Sequence, residues 1–265
     1  MLLATSKWQD GVLLQNGLYA PYSLCAKPYD AQVSTDFIRE PNTKSVRFEL
    51  RANDPVCGGS KRAELYIMRT NAVAMKSEWY AFSIYVPADY AKDAKAEGHF
   101  QIHQAGSSGS PLVEFWAQND LYYLALNYDN NGDGVYNHPL LPIGAIDKGK
   151  WTDWVLRYKY SVGNDGIIEL WKNGEKITFT LPNGTKTQTI AGPNYNLVNG
   201  VPEISPYPKF GIYKWPWSAA GTYNPSVRVL YHAMVMFGDK DCTFADFAYP
   251  APAETTTTIK PRNRI

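Results

Sequence analysis

The chain has 265 residues, 45% of them hydrophobic, which is enough for a sizeable core, and no compositional break divides it. Its 26 basic and 25 acidic residues nearly cancel, which argues against a general nucleic-acid or membrane-surface binder but leaves room for a local basic patch holding a polyanion. No stretch approaches the ~18–20 apolar residues of a membrane span, and three cysteines (Cys25, Cys57, Cys242) do not make a disulfide scaffold; one bridge with a free thiol and three reduced thiols both remain open.

At the N-terminus, Met1-Leu2-Leu3 runs straight into Ala4-Thr5-Ser6-Lys7 with no signal-peptide pattern. That fits a cytoplasmic protein or a mature secreted form restarted with methionine. Strand signals then dominate. Val46-Arg47-Phe48-Glu49-Leu50-Arg51 alternates strictly, and Trp79–Val86 is aromatic and β-branched. Ala88–Ala96 is the best helix candidate. Leu121–Tyr128, Trp154–Tyr160, Gly166–Trp171 and Val227–Phe237 read as further strands. Lys172-Asn173-Gly174-Glu175 supplies an Asn-Gly hairpin turn between Ile167–Trp171 and Ile177–Phe179. Many strands, 20 glycines, 18 prolines and no βαβ rhythm predict an all-β antiparallel sandwich. Residues 1–249 are expected to form its single domain, because all-β sandwiches commonly run to ~200–250 residues. Pro250 to Ile265 turns to Pro-Ala-Pro-Ala-Glu, four threonines and Lys-Pro-Arg-Asn-Arg, a linker composition or a frayed end.

Three strand segments carry polar residues on one face, since side chains two apart on a strand share a face. Arg62-Ala63-Glu64-Leu65 pairs Arg62 with Glu64. His99-Phe100-Gln101-Ile102-His103-Gln104 aligns His99, Gln101 and His103. Lys209-Phe210-Gly211-Ile212-Tyr213 aligns Lys209 and Tyr213, with a glycine between them where a ligand could approach bare backbone. Taken singly, such residues are usually packing or solvated ion pairs. Together they supply the parts of a β-elimination from a uronic acid. The C5 proton is weakly acidic, so its carboxylate must be neutralised, a base must take the proton, and an acid must protonate the departing O4. Gln101 and Arg62 suit the first task, His103 the second and Tyr213 the third.

Gln101-Ile102-His103 resembles the Gln-Ile-His element of jelly-roll alginate lyases. Lys209–Tyr213 is similar to their Lys-Ala-Gly-x-Tyr, and Arg62–Leu65 to their Arg-Ser-Glu-Leu. A wider run resembles the heparin lyase I and glucuronan lyase branch more closely: Glu78–Pro87, Trp151-Thr152-Asp153-Trp154, Asp165–Gly174 and Lys209–Tyr213. The resemblance spans roughly residues 45–240. It implies a β-jelly roll with a concave groove, His103 as base with Tyr213 as acid, or Tyr213 as both, and Gln101 and Arg62 at the carboxylate. Glu64, Lys209, Lys214, Trp215 and His99 are expected to bind substrate, with stacking placed at Tyr213–Trp217. The alginate pattern departs at Tyr66, at Tyr207-Pro208-Lys209-Phe210 and at Trp215, which favours another uronan: glucuronan first, then ulvan, alginate or a heparin-type chain. The expected enzyme is a secreted monomer that needs no cofactor and takes an anionic polysaccharide, with neither nucleic acid nor membrane as partner.

Asp129-Asn130-Asn131-Gly132-Asp133-Gly134 has the opening of a calcium loop, with Asp129, Asn131 and Asp133 as ligands. Its twelfth position is Leu140 rather than Glu, so a structural calcium and a polar turn are both open. Two rival functions remain. A glycoside hydrolase needs paired carboxylates, yet Glu49, Glu64 and Glu114 have no acidic partner two residues away. A non-catalytic carbohydrate-binding module or lectin would account for the 37 aromatic residues, eight of them Trp, without any convergence of His103, Gln101 and Tyr213.

Overall fold

The computed structural model describes residues 1–14, 19–22, 27–67, 77–104, 110–202 and 206–249. Its strands begin with β1 (Leu2–Ser6), β2 (Tyr19–Tyr22), β3 (Ala31–Ser34), β4 (Ser45–Arg51), β5 (Arg62–Ile67), β6 (Ser77–Tyr85) and β7 (Glu97–His103). There follow β8 (Val113–Gln118), β9 (Leu121–Leu126), β10 (Leu140–Ala145), β11 (Trp151–Lys159) and β12 (Ile167–Lys172). Six two-residue strands come next: β13 (Glu175–Lys176), β14 (Phe179–Thr180), β15 (Lys186–Thr187), β16 (Ile190–Ala191), β17 (Leu197–Val198) and β18 (Val201–Pro202). The long strands β19 (Tyr207–Tyr213) and β20 (Val227–Gly238) complete the set.

These strands build two antiparallel sheets. One runs β13-β12-β11-β6-β20-β4-β3, with β1 added on β20 and β16 on β12; the other runs β10-β9-β8-β7-β19-β5-β2. Strands distant in sequence are neighbours in space, as in β7 beside β19 and β4 beside β20. This is the expected jelly roll. Aromatic rings join the sheets: Phe82 stacks on Phe100 at 4.3 Å, Phe115 meets Trp154 edge-on at 5.2 Å, and Phe48 meets Phe210 at 5.8 Å. All six are at most 3% exposed, and each such side chain stabilises by about 1.5–3 kcal/mol through burial.

Asn173 and Gly174 both take positive φ, 51° and 86°, and β12 pairs with β13 across them. That is the mirror-image turn the Asn-Gly dipeptide predicts. Ala88–Ala96 is not a helix but turn and bend. Its backbone carbonyls are taken by cations instead of by the N–H four residues on: Ala91 accepts from Arg228 and Lys95 from Lys214. Cys57 is disulfide-bonded and Cys242 is a buried free thiol, while Cys25 and residues 250–265 lie outside the described residues. Among the described residues, no helix is long and apolar enough to cross a membrane.

Candidate active site

The second sheet carries a groove of about 650 Å³. Strand register lays out its floor. In one transverse row Glu114 on β8 faces Gln101 on β7, Gln101 faces Lys209 on β19, and Lys209 faces Tyr66 on β5. In the next row Trp116 faces Gly98, Gly98 faces Tyr213, and Tyr213 faces Arg62. His103 lies toward the opposite end, beside Tyr207, whose ring stacks on its imidazole at 5.6 Å. Arg62, Gln101, His103, Lys209, Tyr213 and Trp215 all line the groove. The structure therefore brings together six of the residues the sequence singled out.

Three others sit elsewhere. Glu64 is 2% exposed beside the floor: its Oε1 accepts from Gln101 Nε2 at 2.5 Å and its Oε2 from Arg62 at 3.4 Å. It holds two groove residues instead of lining the groove. His99 is fully buried on the far face of β7, with Nδ1 2.8 Å from the Tyr122 hydroxyl and Nε2 3.3 Å from Glu97. Simple alternation predicts that it shares a face with Gln101. The pairing of β7 shifts register between Gly98 and Gln101, so His99 and Phe100 both point inward, as an extra residue in a β-bulge allows. Lys214 is likewise fully buried, paired with Glu97 and Asp93 at 2.9 Å each. Neither His99 nor Lys214 reaches the groove, which corrects the expectation that they touch substrate.

Gly211 also serves a different end from the one expected. A Cβ there would lie 2.2 Å from the Ala63 carbonyl oxygen, and its φ is +133°. The bare backbone accommodates the neighbouring strand β5, not a ligand.

In the polar loop, both Asp129 carboxylate oxygens accept backbone N–H groups, from Gly132 and Gly134 at 2.8 Å each. Asp133 bonds the Val135 N–H and the Asn131 amide, also at 2.8 Å each. The residues expected as calcium ligands hold the loop's own turn through these bonds, and among the described residues no cluster of three or more His, Cys, Asp or Glu is placed to hold a metal ion.

Electrostatics set the protonation of the groove. Burial first, then the charges of Lys209 and Arg62, pushes His103 down to about 4, so its ring is neutral near pH 7. Its Nδ1 donates to the Gln104 carbonyl at 2.8 Å, because a carbonyl can only accept; the lone pair is therefore on Nε2. Burial raises Tyr213 above its ordinary value against the pull of Arg62, whose guanidinium lies 4.5 Å from the phenol ring centre. Tyr213 is a protonated phenol. Burial lowers Lys209 to about 8 and raises Glu114 to about 8. At neutral pH the floor carries more positive than negative charge. Trp215 stacks on Trp116 at 5.0 Å and lies tilted against Tyr213 at 5.3 Å, an aromatic wall at the Tyr213 end.

Sequence reasoning missed Glu114, Trp116, Tyr207, Asn127 and His138, all in or against the groove. The alternation of Val113–Gln118 does place Glu114 and Trp116 on one face. Only the pairing of β8 with β7 puts that face beside Gln101.

Comparison with known proteins agrees with this architecture. Among curated sequences none matches the chain. In solved structures, an endo-β-1,4-glucuronan lyase from the fungus Trichoderma reesei superposes with TM-score 0.63 at 19% identity, covering 86% of this chain and 96% of that one. An alginate lyase, A1-II′, in complex with a substrate gives TM-score 0.52 at 14% identity, covering 79% and 84%. The cellulose-induced protein Cip1 gives 0.54 at 11% identity, covering 89% and 97%. At such identities these likenesses speak for the fold alone. The sequence profile described as polysaccharide lyase matches residues 3–235, and on that match, which spans most of the chain, this protein belongs to the polysaccharide lyase family and is an enzyme of that class.

Proposed function

We propose that the enzyme cleaves a uronate-containing polysaccharide by β-elimination, with glucuronan as first choice and ulvan, alginate or a heparin-type chain after it. The observation that carries this reading is the pairing of a neutral His103 with a protonated Tyr213 in one groove, over a floor that favours an anion. Arg62 and the Gln101 amide neutralise the C5 carboxylate, which acidifies the C5 proton. His103 Nε2 removes that proton, the electron pair forms the C4–C5 double bond, and the C4–O4 bond breaks. The Tyr213 phenol gives its proton to O4, and solvent returns the two groups to their starting states. This division of labour follows from protonation: a phenol held above its ordinary pKa suits an acid better than a base.

Register adds a constraint. Tyr207, beside His103, is six residues from Tyr213 along β19, a backbone span of up to ~20 Å at ~3.3 Å per residue before curvature and the bulge shorten it. The reacting C5–H and O4 sit on adjacent carbons, so the His103 and Tyr213 side chains must lean toward each other along the groove to reach one uronate. Glucuronate sheds C5–H and O4 from the same side, so a single residue could serve both roles there, whereas iduronate and guluronate shed them from opposite sides. Glucuronan remains first choice because Glu78–Pro87, Trp151–Trp154, Asp165–Gly174 and Lys209–Tyr213 resemble the branch that includes glucuronan lyases. The wall formed by Trp116 and Trp215 offers a stacking surface for a neighbouring sugar. No cofactor is required by this scheme, and a polymeric substrate fits a secreted, monomeric enzyme.

The test is incubation with glucuronan, ulvan, alginate and heparin while following the ultraviolet absorbance of the unsaturated uronate. Rising absorbance on at least one polymer supports elimination. New reducing ends without absorbance would indicate hydrolysis, and binding without either would indicate a lectin; both results contradict the proposal.

A further inference from the structure

One groove residue has no part in the scheme above. Glu114 is 5% exposed, lines the groove and faces Gln101 across the β7–β8 pair. Its Oε2 accepts the indole N–H of Trp116 at 2.6 Å, while its Oε1 is buried with no hydrogen-bond partner. An indole only donates, so a proton on this carboxyl group resides on Oε1, as an O–H without an acceptor. The strand beside it makes room for that atom. A Cβ at Gly98 would lie 2.0 Å from Glu114 Oε1, so any other residue at this bulge would displace the carboxyl group.

We propose that Glu114 is a neutral carboxylic acid whose O–H binds the substrate's carboxylate, and that it thereby selects acidic over neutral sugars. The proposal rests on the uronan lyase reading and assigns that reading one more residue at the carboxylate, beside Arg62 and Gln101. The groups acting on Glu114 are Arg62 and Glu64 from β5, Lys209 and Tyr213 from β19, and its own strand's Trp116. On this face β7 presents the uncharged Gln101 and the neutral His103, and β9 presents Ala125. Burial and Glu64 favour the neutral form; Trp116, Lys209 and Arg62 oppose it, and the balance lies at about 8. A buried carboxyl group kept neutral in this way is a donor without an acceptor in the protein, which a substrate carboxylate would supply. A hydroxymethyl group in the same place is a poorer acceptor and carries no charge.

The experiment compares a β-1,4-linked glucuronate tetrasaccharide with cellotetraose, which has the same linkage and CH₂OH in place of the carboxylate. Binding is measured calorimetrically in the slow Tyr213→Phe background, with and without Glu114→Leu or Glu114→Gln, at about pH 6 and about pH 9.5. Losing a hydrogen bond to a charged group predicts that Glu114→Leu weakens the glucuronate ligand roughly 10- to 100-fold and cellotetraose little. Glu114→Gln keeps a neutral donor and so recovers most of that loss. In the parent, affinity for glucuronate falls at the higher pH as Glu114 ionises; Glu114→Gln shows a smaller fall, with the remainder belonging to Lys209. Equal weakening of both ligands, indifference to Glu114→Leu, or an unchanged pH dependence in Glu114→Gln overturns the proposal. Should Glu114→Leu fail to fold, the pH arms of Glu114→Gln decide alone. A parent that binds no uronate overturns the lyase reading and this proposal with it, whereas a parent that binds it but ignores Glu114 overturns the proposal only.

Discussion

Strand β7 separates two buried charged clusters that differ in one respect. On its inner face Glu97 accepts from Arg228 Nε at 3.1 and 2.9 Å, and from Lys214 at 2.9 Å, while Arg228 also donates to Ala91 and lies 3.7 Å over the Tyr90 ring. Every side-chain donor and acceptor of Glu97, His99, Lys214 and Arg228 that is buried has a partner. On its outer face the groove floor is as buried and as charged, yet Gln101 Oε1 and Glu114 Oε1 are left bare. A satisfied buried network specifies a structure; an unsatisfied one in a groove is completed by a ligand. Arg228 on β20 and Glu97 on β7 come from opposite sheets, so the inner cluster ties the sandwich together behind the groove floor.

The largest expected effect breaks the inner cluster. Glu97→Ala strands Arg228 without its ion-pair partner and leaves Lys214 with Asp93 alone, and removing one partner of a buried ion network costs about 3–5 kcal/mol, read as a lower midpoint in chemical denaturation. The matching change on the outer face, Arg62→Met, is expected to lower kcat/KM roughly 10- to 100-fold through the lost charged hydrogen bond to substrate, with a smaller effect on stability. If Arg62→Met destabilised the fold as much as Glu97→Ala, the two clusters would not differ in kind. Trp215→Ala removes one stacking surface at the rim and should raise KM several-fold, since such a contact is worth about 0.5–1.5 kcal/mol, leaving kcat nearly unchanged.

Acidity sharpens the contrast further. His103 is held down at about 4, below its ordinary value, so the base stays unprotonated until the pH falls through about 4. The acid limb of kcat/KM is therefore expected near 4 and not near the ordinary histidine value of ~6.5. Lys209→Met removes one of the charges that lower His103, so the limb moves upward, although burial remains the larger cause. A limb that stayed near ~6.5 in both proteins would contradict the depressed acidity of His103, and a limb absent down to about pH 4 in His103→Ala as well as in the parent would leave His103 no part in it.

Much of this was legible in the residues. Period-two alternation in Val46–Arg51, the aromatic run at Trp79 and the Asn173-Gly174 turn announced the sandwich, because each depends on local backbone preference. The polar faces of β5 and β19 announced the groove. What could not be read were the consequences of pairing. The bulge at Gly98 turns His99 inward against simple alternation, and Lys214, next to Tyr213, enters the interior to meet Glu97, which lies 117 positions away in sequence. Glu114 was visible as a carboxylate with no acidic neighbour along its strand; its companions Gln101 and Glu64 lie on other strands. Ala88–Ala96 failed as a helix for the same reason: Arg228 and Lys214, distant in sequence, claim its carbonyls.

The central claim is tested most directly by turnover of the preferred uronan, followed by ultraviolet absorbance of the unsaturated product, in Tyr213→Phe and His103→Ala beside the parent enzyme. Loss of general acid or base catalysis predicts a fall in kcat of about 10²- to 10⁴-fold for each, with retained binding and an unchanged melting profile for Tyr213→Phe. Full activity in both variants would contradict the account.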